Sequence, residues 1–123
     1  MGMTFARVQV STGRQRPGKV LRLLVDTGAD YSVLAARELL RLGVEPEFEE
    51  DIEIGNGDLI TRPVGRIYVR WKDRVAETFV AFGQPGDVRV LGAYALEGLR
   101  LEVDPKARRV RPRRRALFLT MNG

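Results

Sequence analysis

Asp26-Thr27-Gly28-Ala29-Asp30-Tyr31-Ser32-Val33-Leu34 follows directly on Val20 to Val25, an apolar run broken only by Arg22. Such a run reads as a buried strand delivered into a tight turn. Asp and Gly favour that junction on conformational grounds alone, because Asp hydrogen-bonds its own backbone and Gly tolerates dihedral angles that a Cβ would exclude. Taken by itself, Asp26 is a turn residue at the end of a strand. The stretch is distinctive for what comes after Gly28: a second carboxylate, hydroxyl residues, and then an immediate return to Val33-Leu34.

Upstream, Met3 to Val10 alternates polar and apolar residues and predicts a strand. Ser11 to Gly18 is a polar loop, and Lys19 to Val25 is a buried strand running into Asp26. Downstream, Ser32 to Leu34 is a short strand. Ala35 to Leu42 has helical spacing, with Gly43 placed as its C-cap. Glu47 to Ile54 alternates again and Leu59 to Thr61 returns from the turn Gly55-Asn56-Gly57-Asp58. Asn-Gly there predicts a type I′ turn, in which both central residues take positive φ. Val64 to Trp71 and Val75 to Phe82 form a second alternating pair across Lys72-Asp73-Arg74, and Gly83 to Asp87 is a turn. Val88 to Leu91 predicts a strand ending at Gly92, Ala93 to Leu99 a short helix, and Leu101 to Asp104 a strand turned back into Arg108 to Arg111. Ala116 to Met121 is a last apolar segment. Many short strands with two short helices predict an all-β, small closed fold. A chain of 123 residues, with no internal repeat and no linker, is expected to be one domain, 1–123.

The composition narrows the chemistry. The chain has no Cys and no His. That removes thiol nucleophiles, Ser-His and Cys-His mechanisms, disulfides and the commonest zinc ligands. Carboxylates, Lys, Arg and hydroxyls remain. No metal and no cofactor are expected. No apolar run approaches the ~20 residues of a membrane helix, and Met1 to Val10 lacks the layout of a signal peptide, so a cytoplasmic location is the default expectation.

The segment Asp26 to Leu34 resembles the active-site segment of the retropepsin-like aspartic proteases, the single-domain family typified by retroviral proteases. The resemblance extends over roughly Met3 to Asp104 and implies a small acid-protease barrel acting as an aspartic endopeptidase. The chain carries one such motif, while the chemistry needs two carboxylates, so the resemblance implies a homodimer with one Asp26 from each subunit. It further implies that Thr27 bonds across the dimer axis, that Gly28 lets the backbone approach the substrate, and that Ala29 and Asp30 meet the substrate main chain. Val90-Leu91-Gly92 followed by Ala93 to Leu99 is similar to the strand and helix that cross beneath the catalytic loop in that family. Ile54, Gly55, Asn56 and Gly57 fall where the family has its flap, a hairpin closing over an extended peptide. One departure stands out. Retroviral members usually carry Arg just after the glycine of the second motif, where it pairs with the second Asp of the first. This chain has Ala93, so Asp30 is expected to pair with Arg7 or Arg100, or to face solvent.

Charge is unevenly placed. Lys106, Arg108, Arg109, Arg111, Arg113, Arg114 and Arg115 put seven positive charges in one short segment; without them the net charge of +5 becomes −2. An acidic cluster, Glu45, Glu47, Glu49, Glu50, Asp51 and Glu53, precedes the hairpin and makes it more polar than a retroviral flap, which favours basic substrates. The Arg-rich segment reads first as a solvated strand or loop neutralising the acidic segment of the same or the partner chain. Nucleic-acid contact is the alternative, weakened by the lack of interleaved aromatics. The apolar end of 106–123 is a candidate for dimer contact. Two other classes stay open at this point: a non-catalytic dimeric peptide-binding module on the same fold, and a nucleic-acid-binding protein using the Arg-rich tail.

Overall fold

The computed structural model describes residues 2–114; the apolar segment Ala116 to Met121 and Arg115 lie outside the described residues. Nine strands and two short helices follow one another as β1 (Thr4–Ser11), β2 (Lys19–Val25), β3 (Ser32–Ala35), α1 (Ala36–Leu42), β4 (Phe48–Glu53), β5 (Leu59–Trp71), β6 (Arg74–Gly83), β7 (Val90–Leu91), α2 (Ala93–Leu99), β8 (Leu101–Asp104) and β9 (Arg109–Pro112). Seven strands form one sheet in the order β1-β2-β7-β3-β6-β5-β4, and an extra pairing of β1 with β5 closes it into a barrel. Strand β4 hangs on β5 outside the closure. Strands β8 and β9 make a separate hairpin.

Period-two patterning explains the closure. In β1, Ala6, Val8 and Val10 point inward, and in β2 Leu21 and Leu23 do the same. Leu34, Leu39, Ile67, Leu91 and Leu99 complete a core with almost no exposed surface. Burying each such side chain contributes about 1.5–3 kcal/mol before conformational entropy is charged against it. Strand β2 was expected to be buried along its length. It is buried on one face only, with Val20 57% exposed, because its outer face has no layer above it among the described residues.

Two further expectations are corrected. Leu59 to Thr61 and Val64 to Trp71 were expected as separate segments, yet β5 runs unbroken through both for 13 residues. Its first half pairs with β4 and its second half with β6, and the β6 ladder starts only at Val64↔Ala81. Pro63 therefore sits where only β4 flanks the strand, and its missing N–H removes no rung toward β6. The hairpin tip is not a type I′ turn. Gly57 alone takes positive φ, 89°, while Gly57 N–H donates to Ile54 O at 2.8 Å and Ile54 N–H to Asp58 O at 2.9 Å. That is a three-residue loop with glycine in the left-handed position. Asn56 uses its side chain instead, accepting from Asp58 N–H at 2.9 Å.

The helices are placed as the spacing predicts. Gly43 ends α1 with φ 89°, and Val44 N–H reaches back to Leu39 O at 2.9 Å. Helix α2 ends at Arg100, a non-glycine residue held at φ 57°. Strand β7, read from sequence as four residues, is reduced to Val90–Leu91. Those two residues decide the architecture. They pair in parallel with Leu24 and Val25 of β2 and antiparallel with Val33 of β3, so β7 is threaded between the strands on either side of the Asp26 loop.

Candidate active site

Asp26 is the first residue past β2. Its N–H donates to Leu91 O at 3.1 Å, which ties the loop entrance to β7. The loop then turns on itself. Gly28 N–H donates to the Asp26 carboxylate at 2.9 Å, and Ala29 N–H to Asp26 O at 3.2 Å. The Asp26 side chain is thereby oriented by the backbone it begins, and Asp26, Thr27 and Gly28 are exposed.

The loop's far side is clamped by the second motif. Gly92 N–H donates to the buried Ser32 Oγ at 3.0 Å across 60 residues of sequence. Ala93 N–H donates to Ala29 O at 2.7 Å and Tyr94 N–H to Asp30 O at 3.2 Å. Gly92 is required sterically: a Cβ there would lie 2.5 Å from Tyr31 O. The loop is thus fixed by backbone bonds at both ends, the kind of rigidity that a site on a turn needs.

An open cleft of about 980 Å³ lies over this loop. Of the sequence-predicted residues, Asp26, Gly28, Ala29, Asp30, Ile54 and Gly55 line it. Thr27, Asn56 and Gly57 do not. The hairpin β4–β5 forms one wall, and the segment before β7 another, through Asp87 and Val88. Arg62 of β5 joins the two walls: Nε and Nη2 donate to the Asp87 carboxylate at 3.0 and 3.4 Å. The Arg62 hydrogen bond holds the Asp87 carboxyl below its usual range.

Tyr31 links the loop to the hairpin. Its hydroxyl donates to Glu50 Oε2 at 2.7 Å, and that bond, reinforced by partial burial, pushes the phenol up to about 12. The ring meets Tyr94 and Phe79 edge-on at 5.6 and 6.1 Å. Neither Tyr31 nor Glu50 was singled out from sequence as a site residue. Tyr31 lay inside the diagnostic segment, but its partner is set by a contact 19 residues away that no local pattern announces. The same holds for Arg62 and Asp87.

Asp30 makes no ion pair within 4.0 Å among the described residues, with Arg7, Arg100 or any other cation. Arg7 stands opposite Arg22 on the β1–β2 ladder, and Arg100 caps α2. Within the Arg-rich segment, Arg111 pairs with Glu102 and Asp104 of the adjoining strand at 2.8 and 3.1 Å. The acidic cluster before the hairpin is met from β5 instead, through Arg66 to Glu47 at 2.9 Å and Thr61 to Asp51 at 2.7 Å. No group of three or more potential metal-binding side chains occurs among the described residues. No helix there is long and apolar enough to cross a membrane.

A closed, mostly β barrel with an Asp-Thr-Gly loop clamped by a threaded strand and short helix defines the retropepsin-like fold. The comparison with solved structures agrees. The chain is similar to the EIAV protease complexed with the inhibitor HBY-793, at 25% identity over 80% of this chain and 88% of that one, with a TM-score of 0.56. It is also similar to the retroviral protease-like domain of Ddi1 from Leishmania major, at 17% identity over 90% of both chains, with a TM-score of 0.51. No protein-family model matches the chain, and no curated protein sequence does.

Proposed function

We propose that the protein is an aspartic endopeptidase that works as a homodimer, with Asp26 of each copy forming the catalytic pair. One observation carries the reading: Asp26 stands exposed on the floor of a peptide-sized cleft, on a loop held by the Gly92–Ser32 clamp and oriented by Gly28 N–H. A single chain offers one Asp-Thr-Gly carboxylate, and hydrolysis without metal or covalent intermediate needs two. Carboxylates about 3 Å apart cannot both ionise, so the pair shares one proton. The ionised member takes a proton from water, and the protonated member donates a hydrogen bond to the peptide carbonyl oxygen. The two titration steps belong to the pair.

The remaining residues have supporting roles. Exposed Thr27 meets its counterpart across the two-fold axis. Ala29 and Asp30 line the cleft and meet the backbone of an extended substrate. The hairpin tip Ile54, Gly55, Asn56 and Gly57 closes over the peptide and excludes water. The test is cleavage of an unfolded protein mixture across mildly acidic to neutral pH. Wild type is expected to cleave and Asp26→Asn to be inactive with fold and dimer retained. Equal cleavage by both would refute the assignment. A folded, inactive, peptide-binding dimer would point to a binding module.

A further inference from the structure

We infer that Glu50, held in place by Tyr31, makes the cleft select substrate segments that carry a lysine or arginine side chain. The inference rests on the peptidase reading above and names the substrate class of that site.

A count of acidic groups would not define a binding site; a fixed carboxylate on the wall of an existing cleft does. Glu50 lies half-buried in β4, facing the cleft beside the Asp26 loop. Tyr31 fixes it by donating to Oε2 at 2.7 Å, and the ring behind that hydroxyl is wedged against Tyr94 and Phe79. A phenol is a neutral donor, so it positions Glu50 without cancelling its charge. Among the described residues no Lys or Arg nitrogen lies within 4.0 Å of Glu50. Asp30 and Glu53, both exposed, line the same cleft without a cation. Asp51 is likewise met by a hydroxyl, that of Thr61. Among the described residues the one positive side chain on the cleft wall, Arg62, is already committed to Asp87. The cleft is therefore a negative concavity in a chain of net charge +5, and low-dielectric walls focus such a field. A cationic side chain of the substrate supplies the missing counter-charge and leaves Tyr31 where it is.

Extended peptides identical but for one residue, Lys, Arg, Leu or Glu, placed in turn at each position flanking the scissile bond, test this. At the position facing Glu50, kcat/KM for the Lys or Arg peptide is expected to exceed that for Leu about tenfold, as for a partly exposed ion pair reinforced by neighbouring carboxylates. The Lys-to-Arg ratio then shows whether a point charge or a planar fork is preferred. In Glu50→Gln the amide oxygen still accepts from Tyr31, so a purely structural role would leave the preference intact; the expected result is its collapse. Glu50→Lys is expected to invert the preference toward Glu. Cleavage with no cationic preference at any position, or a preference unchanged in both variants, overturns the inference and leaves the peptidase reading standing. Anisotropy with fluorescent peptides separates the opposite case. If wild type cleaves none of the peptides but binds the cationic ones more tightly, and Glu50→Gln loses that difference, the inference holds and the peptidase reading falls.

Discussion

Replacing Gly92 with alanine would place a methyl carbon 2.5 Å from Tyr31 O, 2.7 Å from Tyr31 C and 2.8 Å from Asp30 O. All three atoms are backbone, so no side-chain rotation relieves the clash. Gly92 itself has φ −93° and ψ −176°, which any residue adopts; the cost is purely steric. Overpacking of this kind costs about 1–3 kcal/mol. Relief requires the strand–helix step to move off the Asp26 loop, and that stretches the buried Gly92–Ser32 bond at 3.0 Å and its neighbour from Ala93 to Ala29. Losing a buried bond adds about 1–3 kcal/mol. The expected total is about 2–6 kcal/mol, a large part of the ~5–15 kcal/mol that stabilises a typical domain. Urea unfolding followed by tryptophan fluorescence reads this directly. Gly55→Ala is the control, since a Cβ there meets nothing within 4 Å. A Gly92→Ala protein as stable as Gly55→Ala would refute the clamp as described.

Three further predictions follow from named contacts. Ser32→Ala deletes the acceptor of Gly92 N–H in a site where Ser32 is 1% exposed, and is expected to cost about 1–3 kcal/mol in urea unfolding. Arg89→Ala removes the 2.9 Å partner of Glu38, a carboxylate 7% exposed, and leaves only Lys19 at 3.6 Å; a loss of about 1–3 kcal/mol is expected, largely recovered when Glu38→Met is added. Tyr31 titrates at about 12 in the fold against 10.0 unperturbed, so absorbance titration is expected to show one tyrosine ionising late and returning toward 10.0 in Glu50→Gln. The folded state keeps that proton longer than the unfolded chain, so its contribution to stability is complete below 10.0 and is lost as pH rises from 10.0 to about 12.

The legible parts of this fold were those encoded locally. Period-two alternation placed β1 and β6, helical spacing placed α2 to the residue, and Gly43 marked the end of α1. Asp26 to Leu34 carried its resemblance within nine consecutive residues. The misreadings came from pairing. Strand β5 read as two segments, Leu59 to Thr61 and Val64 to Trp71, because the one-sided neighbourhood of Pro63 cannot be seen before β4 and β6 are placed on β5. Asn56-Gly57 looked like a two-residue turn because the strand register that makes the loop one residue longer is set elsewhere. The cleft behaved in the same way. Its floor was readable, but Tyr31–Glu50 and Arg62–Asp87 join residues 19 and 25 apart in sequence and appear only once the barrel closes.

The central claim is that catalysis needs two Asp26 carboxylates, one from each of two copies. Mixing wild type with Asp26→Asn under conditions of subunit exchange tests it most directly, with the proteolytic rate followed as the variant's share rises. A shared pair predicts a rate that falls with the square of the wild-type fraction, because a mixed dimer keeps only one carboxylate, which cannot be both the ionised base and the protonated donor. A rate falling in simple proportion to the wild-type fraction would mean that each chain acts alone, and would contradict the account.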